Sequence, residues 1–345
     1  MRFLKTTWKY KFSRVWLIVT LAVFVLELVI NLVVMQNAFI YNTINSVLGG
    51  EIRTHVSGDP SQYQYYTSYY KNKSDTLYAA NALNERIVEE GIVLLKNEND
   101  AALPIFTPVS NSEVSVKPRI SVFGKNSVNL VYGGSGSGGA SSSGAVTLYE
   151  SMESAGYDCN PVLRRFYESS ESGSGRPASP SMGDILAGFA TGETPTASYN
   201  NSVKDSYNSY NDAALIVISR IGGEGYDLPR SMKTNFGTGA QKINGARNAD
   251  DHYLQLDQNE TDLIKEVSAH FNKVILKINS AEAMELGFLD DPAHYAYSDK
   301  IKAALWIGSV GKTGINALGR VLNGSVTPSG RTVDTYARDF KKDPS

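Results

Sequence analysis

One carboxylate stands out by its surroundings. Glu224 lies in Gly222-Gly-Glu-Gly-Tyr-Asp227, directly after the apolar run Ala213-Ala-Leu-Ile-Val-Ile218. Glycines at 222, 223 and 225 allow sharp turns and clear side-chain bulk from around the acid. A carboxyl displayed in this way can reach into a cleft, and an apolar cleft would raise its pKa. That suits a general acid that must hold a proton near neutral pH. A solvated turn glutamate is the plainer reading, and for a lone Gly-Glu-Gly it is the stronger one. Other chemistries are poorly served. Cys159 is a lone cysteine, so an internal disulfide and a cysteine-based zinc cluster are excluded, and it reads as a small apolar filler. His55, His252, His270 and His294 show no ligand spacing. Neither a metal nor an organic cofactor is implied.

Two glycine-rich stretches invite a phosphate-loop reading and fail it. Gly133-Gly-Ser-Gly-Ser-Gly-Gly139 follows a strand but lacks the Gly-Lys-Ser/Thr ending. Gly308-Ser-Val-Gly-Lys-Thr313 has that ending, yet Trp306 occupies the position where the first glycine should stand. With 33 basic and 35 acidic side chains and a net charge of −2, the chain also carries no electrostatic footprint for nucleic acid.

The elements that must position Glu224 alternate along the chain. Of the 345 residues 42% are apolar, enough for a sizeable core. Apolar runs predict strands near 92–95, 120–123, 213–219, 274–278 and 303–307. Between them, Ser74 or Asp75 can cap a helix carrying Leu77, Leu83, Ile87 and Val88 on one side, with Gly91 as its stop. A second helix is expected near 146–154. Asp257-Gln-Asn-Glu260 reads as a capping box opening a third, with Leu263, Ile264, Val267 and Phe271 on one face. Such alternation predicts an α/β fold, a three-layer sandwich with a mostly parallel sheet covered on both sides. Its binding crevice lies at the carboxyl ends of the strands, where Glu224 sits. Residues 169–206, rich in Ser, Gly, Pro and Asn, read as a flexible insertion or flap.

The N-terminus is of a different kind. Residues 1–14 form a basic tail with Arg2, Lys5, Lys9, Lys11 and Arg14, followed by the apolar run Val15–Met35. That run has the roughly 20 residues that a transmembrane helix needs. An uncleaved signal-anchor is the favoured reading, with the basic flank in the cytoplasm and the globular part outside. A cleavable signal peptide is its rival, although Met35-Gln-Asn-Ala38 is a poor small-x-small site. Residues 36–75, polar and tyrosine-rich, read as a linker to a domain spanning 76–345.

From about Asn81 to Asp343 the sequence resembles the α/β-sandwich domain of glycoside hydrolase family 3, the β-glucosidase family. The ordered pieces are Glu90-Gly-Ile-Val-Leu-Leu-Lys-Asn97 with Leu103-Pro104, Ile120-Ser-Val-Phe-Gly124 with the Gly/Ser loop, Ile218–Asp227, and Trp306-Ile-Gly308 with Leu322–Arg331. The resemblance implies a retaining β-glycosidase in which Glu224 is the acid/base. Arg220, Tyr226, Asp227, Gly134 and Ser135 would shape the substrate side, and a β-linked oligosaccharide or glycoside would be the substrate. In the family the nucleophile, an aspartate, comes from a (β/α)8 barrel, which typically needs about 250 residues and has no room here. The arrangement looks permuted, sandwich first, and the ending Lys341-Lys-Asp-Pro-Ser345 suggests an N-terminal fragment. Two alternatives stay open: a non-catalytic carbohydrate-binding or surface-display module, and a domain completed in trans by a separate barrel chain.

Overall fold

The computed structural model describes residues 11–48, 69–97, 102–106, 117–134, 136–177, 189–224, 227–233, 241–243 and 245–342. They form two compact units, divided at Tyr69/Tyr70.

In the first unit, α1 (Lys11–Gln36) is followed by α2 (Ala38–Leu48), where the Asn37 side chain accepts from Ile40 N at 3.2 Å and caps the second helix. Segment Phe12–Gln36 is long and apolar enough to cross a membrane, and none of its most apolar stretch is buried by the rest of the chain. The linker expected for 36–75 therefore begins with a helix, and the next helix, α3 (Lys73–Gly91), opens before that span ends.

The second unit is built on a six-stranded sheet. Its strands are β1 (Val93–Asn97), β2 (Arg119–Phe123), β3 (Asp158–Cys159), β4 (Ala213–Ser219), β5 (Val274–Asn279) and β6 (Ile301–Trp306), in the order β1-β6-β5-β4-β2-β3. All pairings are parallel except β1 with β6, which is antiparallel. Helices α4 (Leu148–Ser154), α5 (Pro161–Glu168), α6 (Asn201–Ser206), α7 (Gln258–His270) and α8 (Asn316–Leu322) complete it. Alternate residues of β4 feed the two cores. Ala214, Ile216 and Ile218 meet Leu163 of α5, Val203 of α6 and Leu263, Ile264 and Val267 of α7. Ala213, Leu215 and Val217 face the cluster holding Leu148 and Met152 of α4, Leu318 and Leu322 of α8, and Val88 of α3. A strand apolar on both faces belongs in the interior of a covered parallel sheet, and β4 lies between β2 and β5. The three-layer reading holds.

Three details differ from expectation. The cap of α3 is Asn72, whose extended backbone lets its side chain accept from Asp75 N at 2.9 Å, so Ser74 and Asp75 fall inside the first turn. Of the four apolar residues on that helix only Val88 is buried; Leu77, Leu83 and Ile87 are more than half exposed. The helix packs instead through polar groups: Arg320 of α8 binds Glu89 at 2.6 Å and Glu85 at 3.0 Å, and Asn84 caps the 310–314 turn. Third, of the flexible insertion expected at 169–206, residues 178–188 lie outside the described residues, and 169–177 and 189–206 pack into the domain. Phe189, Tyr199 and Val203 are core residues and Thr191, Glu193 and Thr194 are buried polar ones; a Ser/Asn-rich composition concealed spaced anchors. Cys159 is a buried filler whose thiol burial pushes up to about 12. Lys277, by contrast, is an anomaly. It sits fully buried in β5, opposite Val217 and Leu305 of the flanking strands, and its Nζ has no hydrogen-bond partner among the described residues.

Candidate active site

The site begins where β4 ends. Asn279, the last residue of β5, ties the neighbouring loops to that level: its Oδ1 accepts from Val131 N at 2.7 Å, and its Nδ2 donates to Val131 O and Gly308 O at 2.9 and 2.7 Å. The loops after β2 and β6 thus share an anchor at the carboxyl edge of the sheet.

Arg220, one residue past β4, is completely buried. Its guanidinium makes a bidentate pair with Glu260 of α7 at 2.6 and 2.7 Å, and donates to the carbonyls of Ser219 and Tyr253 at 2.9 and 2.7 Å. Removing one partner of such a buried pair costs about 3–5 kcal/mol. The contact with substrate expected of Arg220 is therefore corrected: with its donors committed inside the protein, it fixes the exit of β4 and presents no donor to a sugar. Glu260 also closes the capping box of α7, accepting from Asp257 N while its own N–H is bound by Asp257. Around this pair lies an acidic layer that sequence reasoning missed. Burial pushes Asp257 up to about 7, with the Glu260 charge adding to it, and pushes Glu193 up to about 8. Glu193 accepts from the N–H groups of Lys125 and Thr194, and Thr191 donates to Asp257. Only the capping-box spacing gave a signal for this layer; Glu193 stood in the stretch read as a flap.

Beyond Ile221 the chain turns outward. A Cβ on Gly222 would stand 2.0 Å from Glu282 Oε1, so a side chain here would have to push the Glu282 carboxyl aside. Glu282, a carboxyl not singled out in the sequence, is bonded to Ser280 Oγ at 3.0 Å, and burial raises its pKa. The turn also interlocks with the loop at 133–139. A Cβ on Gly134 would lie 3.2 Å from Gly222 O, and one on Gly136, at φ +68°, would lie 2.8 Å from Glu224 Cβ and Oε2. Gly134 and Gly139 bridge the base of that loop.

Glu224 is exposed, and its Oε2 accepts from Ser137 N at 2.9 Å and from Ser137 Oγ. These two bonds hold its carboxyl below the usual carboxylate range, because donors to the charged form favour it. A raised pKa would need an apolar cleft, and this side chain stands on an open rim. Among the expected site residues, the structure packs Gly134 against Gly222 and Gly223 just before Glu224, leaves Asp227 exposed three positions on, and sends Arg220 inward. Ser135 and Tyr226 lie outside the described residues. Ser137 was not named individually; its place in a glycine-rich loop after a strand was the only cue.

The fold is thus an α/β sandwich on a mostly parallel sheet, with Glu224 displayed on a glycine turn past the carboxyl end of β4. The profile described as "Glycosyl hydrolase family 3 C-terminal domain" matches residues 92–345, and the chain belongs to that family. It is 28% identical over 263 residues to beta-glucosidase A of Butyrivibrio fibrisolvens, and 27% identical over 266 residues to a beta-glucosidase of Ruminococcus albus. Each alignment covers 74% of this chain but only 28% and 23% of the relative, so the chain spans about a quarter of these proteins. Beta-glucosidase 3B of Thermotoga neapolitana, solved in complex with α-D-glucose, superposes with a TM-score of 0.56 at 27% identity, over 79% of this chain and 33% of that one.

Proposed function

We propose that this chain supplies the acid/base half of a retaining O-glycosyl hydrolase of β-glucosidase type. Glu224 donates a proton to the leaving oxygen of a β-linked glycoside and then takes one from the attacking water. The observation that carries this reading is the display of Glu224 on interlocked glycine turns at the carboxyl end of β4, in a family whose relatives above are beta-glucosidases. Retention needs a second carboxyl about 5–5.5 Å from the first, and a (β/α)8 barrel domain, in cis or in trans, provides that nucleophile and the sugar pocket. Gly134 and Asp227 belong to the aglycone side in this reading, and the role expected of Ser135 and Tyr226 falls outside the described residues. The purified chain alone should not turn over an aryl β-glucoside, and adding or fusing a family barrel should confer turnover. Hydrolysis by the chain alone, abolished by Glu224→Gln, would place the nucleophile within these residues and overturn the division of labour.

The same reading places the domain outside the cytoplasm, held to a lipid bilayer by α1. Its support is the length and apolarity of Phe12–Gln36 behind a basic flank. Mass spectrometry of the mature protein should find the N-terminal residues intact. A new N-terminus near Phe39 would establish a cleaved signal peptide instead.

A further inference from the structure

We propose that Ser137 is the positioning residue of Glu224, pinning one carboxylate oxygen so that the other, Oε1, is the atom that carries the transferred proton. The inference rests on the acid/base reading of Glu224 and adds to it a role for the glycine-rich loop. Both donors of Ser137, the backbone N–H at 2.9 Å and the hydroxyl, converge on Oε2, and no hydrogen bond to Oε1 is found among the described residues. The loop is shaped for this contact. Gly136 takes a left-handed conformation directly beneath Glu224, where any Cβ would strike the glutamate side chain, and Gly134 packs on the carbonyl of Gly222. A carboxyl serving as acid and then as base must keep one orientation through two proton transfers, and a pinned oxygen provides it.

The charged surroundings leave Ser137 as the dominant influence. On the turn itself Asp227 points to solvent, Glu282 lies under Gly222, and Arg220 is turned inward to Glu260; none of them is among the causes that move Glu224, which are the two Ser137 bonds and a small opposing effect of burial. Ser137 therefore favours the ionised form. In an active enzyme kcat/KM falls as pH rises through the pKa of the group that must be protonated. Losing the Ser137 hydroxyl raises that pKa, so the alkaline limb moves to higher pH.

The direct test is a carbon-13 NMR titration of the full chain in detergent micelles, labelled at the glutamate carboxyls, with Glu224 assigned through Glu224→Gln. Glu224 should titrate below the ordinary carboxylate range. Ser137→Ala should move it upward, Ser137→Thr should restore it, and Gly136→Ala should release it as Ser137→Ala does. An unchanged titration in Ser137→Ala, with the remaining spectrum intact, overturns the proposal. This readout is independent of catalysis, so it separates failure of the clamp from failure of the acid/base assignment. With a barrel supplied, Ser137→Ala should shift the alkaline limb upward and lower the maximal rate by up to about 10²-fold. An equal loss at every pH, with no movement of the limb, would show a structural role only.

Discussion

With a barrel domain supplied, Glu224→Ala is expected to slow hydrolysis of a natural β-linked disaccharide by about 10²–10⁴-fold, the usual contribution of a positioned acid/base. The loss should depend on the leaving group. A sugar alkoxide is a poor leaving group and needs the proton that Glu224 delivers. A nitrophenolate departs without one, so the glycosylation step on an activated aryl glycoside should suffer much less. Breakdown of the covalent intermediate then becomes slow on both substrates, because water has lost its base. Azide, which needs no deprotonation, should restore part of that step and yield a glycosyl azide. The exposure of Glu224 leaves space for such a small nucleophile once the side chain is removed. Equal losses on both substrates in a folded variant, with no azide rescue, would make Glu224 a turn residue and nothing more.

The second large effect concerns stability. Lys277 is buried in the middle of the sheet, and burial alone brings its pKa from 10.5 down to about 7. The folded state thus binds the proton more weakly than the unfolded state does. Between the two pKa values the unfolded chain holds more protons, so stability rises with pH across that window and is lowest below it. A displacement of that size corresponds to about 5 kcal/mol. Lys277→Met keeps the length of the side chain and removes the buried charge. It should stabilise the protein by about 2–4 kcal/mol at pH 7, and the gain should shrink steadily toward pH 10, as read by urea unfolding at several pH values. A gain independent of pH, or a loss, would mean that Lys277 has a partner in solution. Buried ionic groups replaced by apolar ones of similar shape often give such gains.

The strands β2, β4, β5 and β6 were legible because apolar residues dominate each of them, and such a bias needs only the local sequence to be read. The capping box at Asp257 and Glu260 was legible for the same reason. What escaped was set by partners far away in the chain. Arg220 beside a candidate acid reads as a substrate ligand until Glu260, forty residues on, is seen to claim its guanidinium. Glu193 in a stretch of Thr, Gly and Ser carries no periodic signal, and its burial depends on the Lys125 and Thr194 amides. β3 has two residues and no pattern to detect. Ser137 was hidden by the same glycines that make it useful, since a flexible-looking loop with two serines does not announce which hydroxyl meets a partner.

The antiparallel pairing of β1 with β6 joins the first and last strands of the sandwich, and Gly330 N, beyond α8, bonds Ile92 O at 3.0 Å. Helices α3 and α8 meet on the same edge through Arg320, Glu85 and Glu89. The edge strand β1 is therefore held by β6 on one side and, just before it, by the segment leaving α8. Segments from opposite ends of the sandwich sequence must therefore meet before this edge of the sheet is complete, which makes it a non-local and late-forming part of the fold.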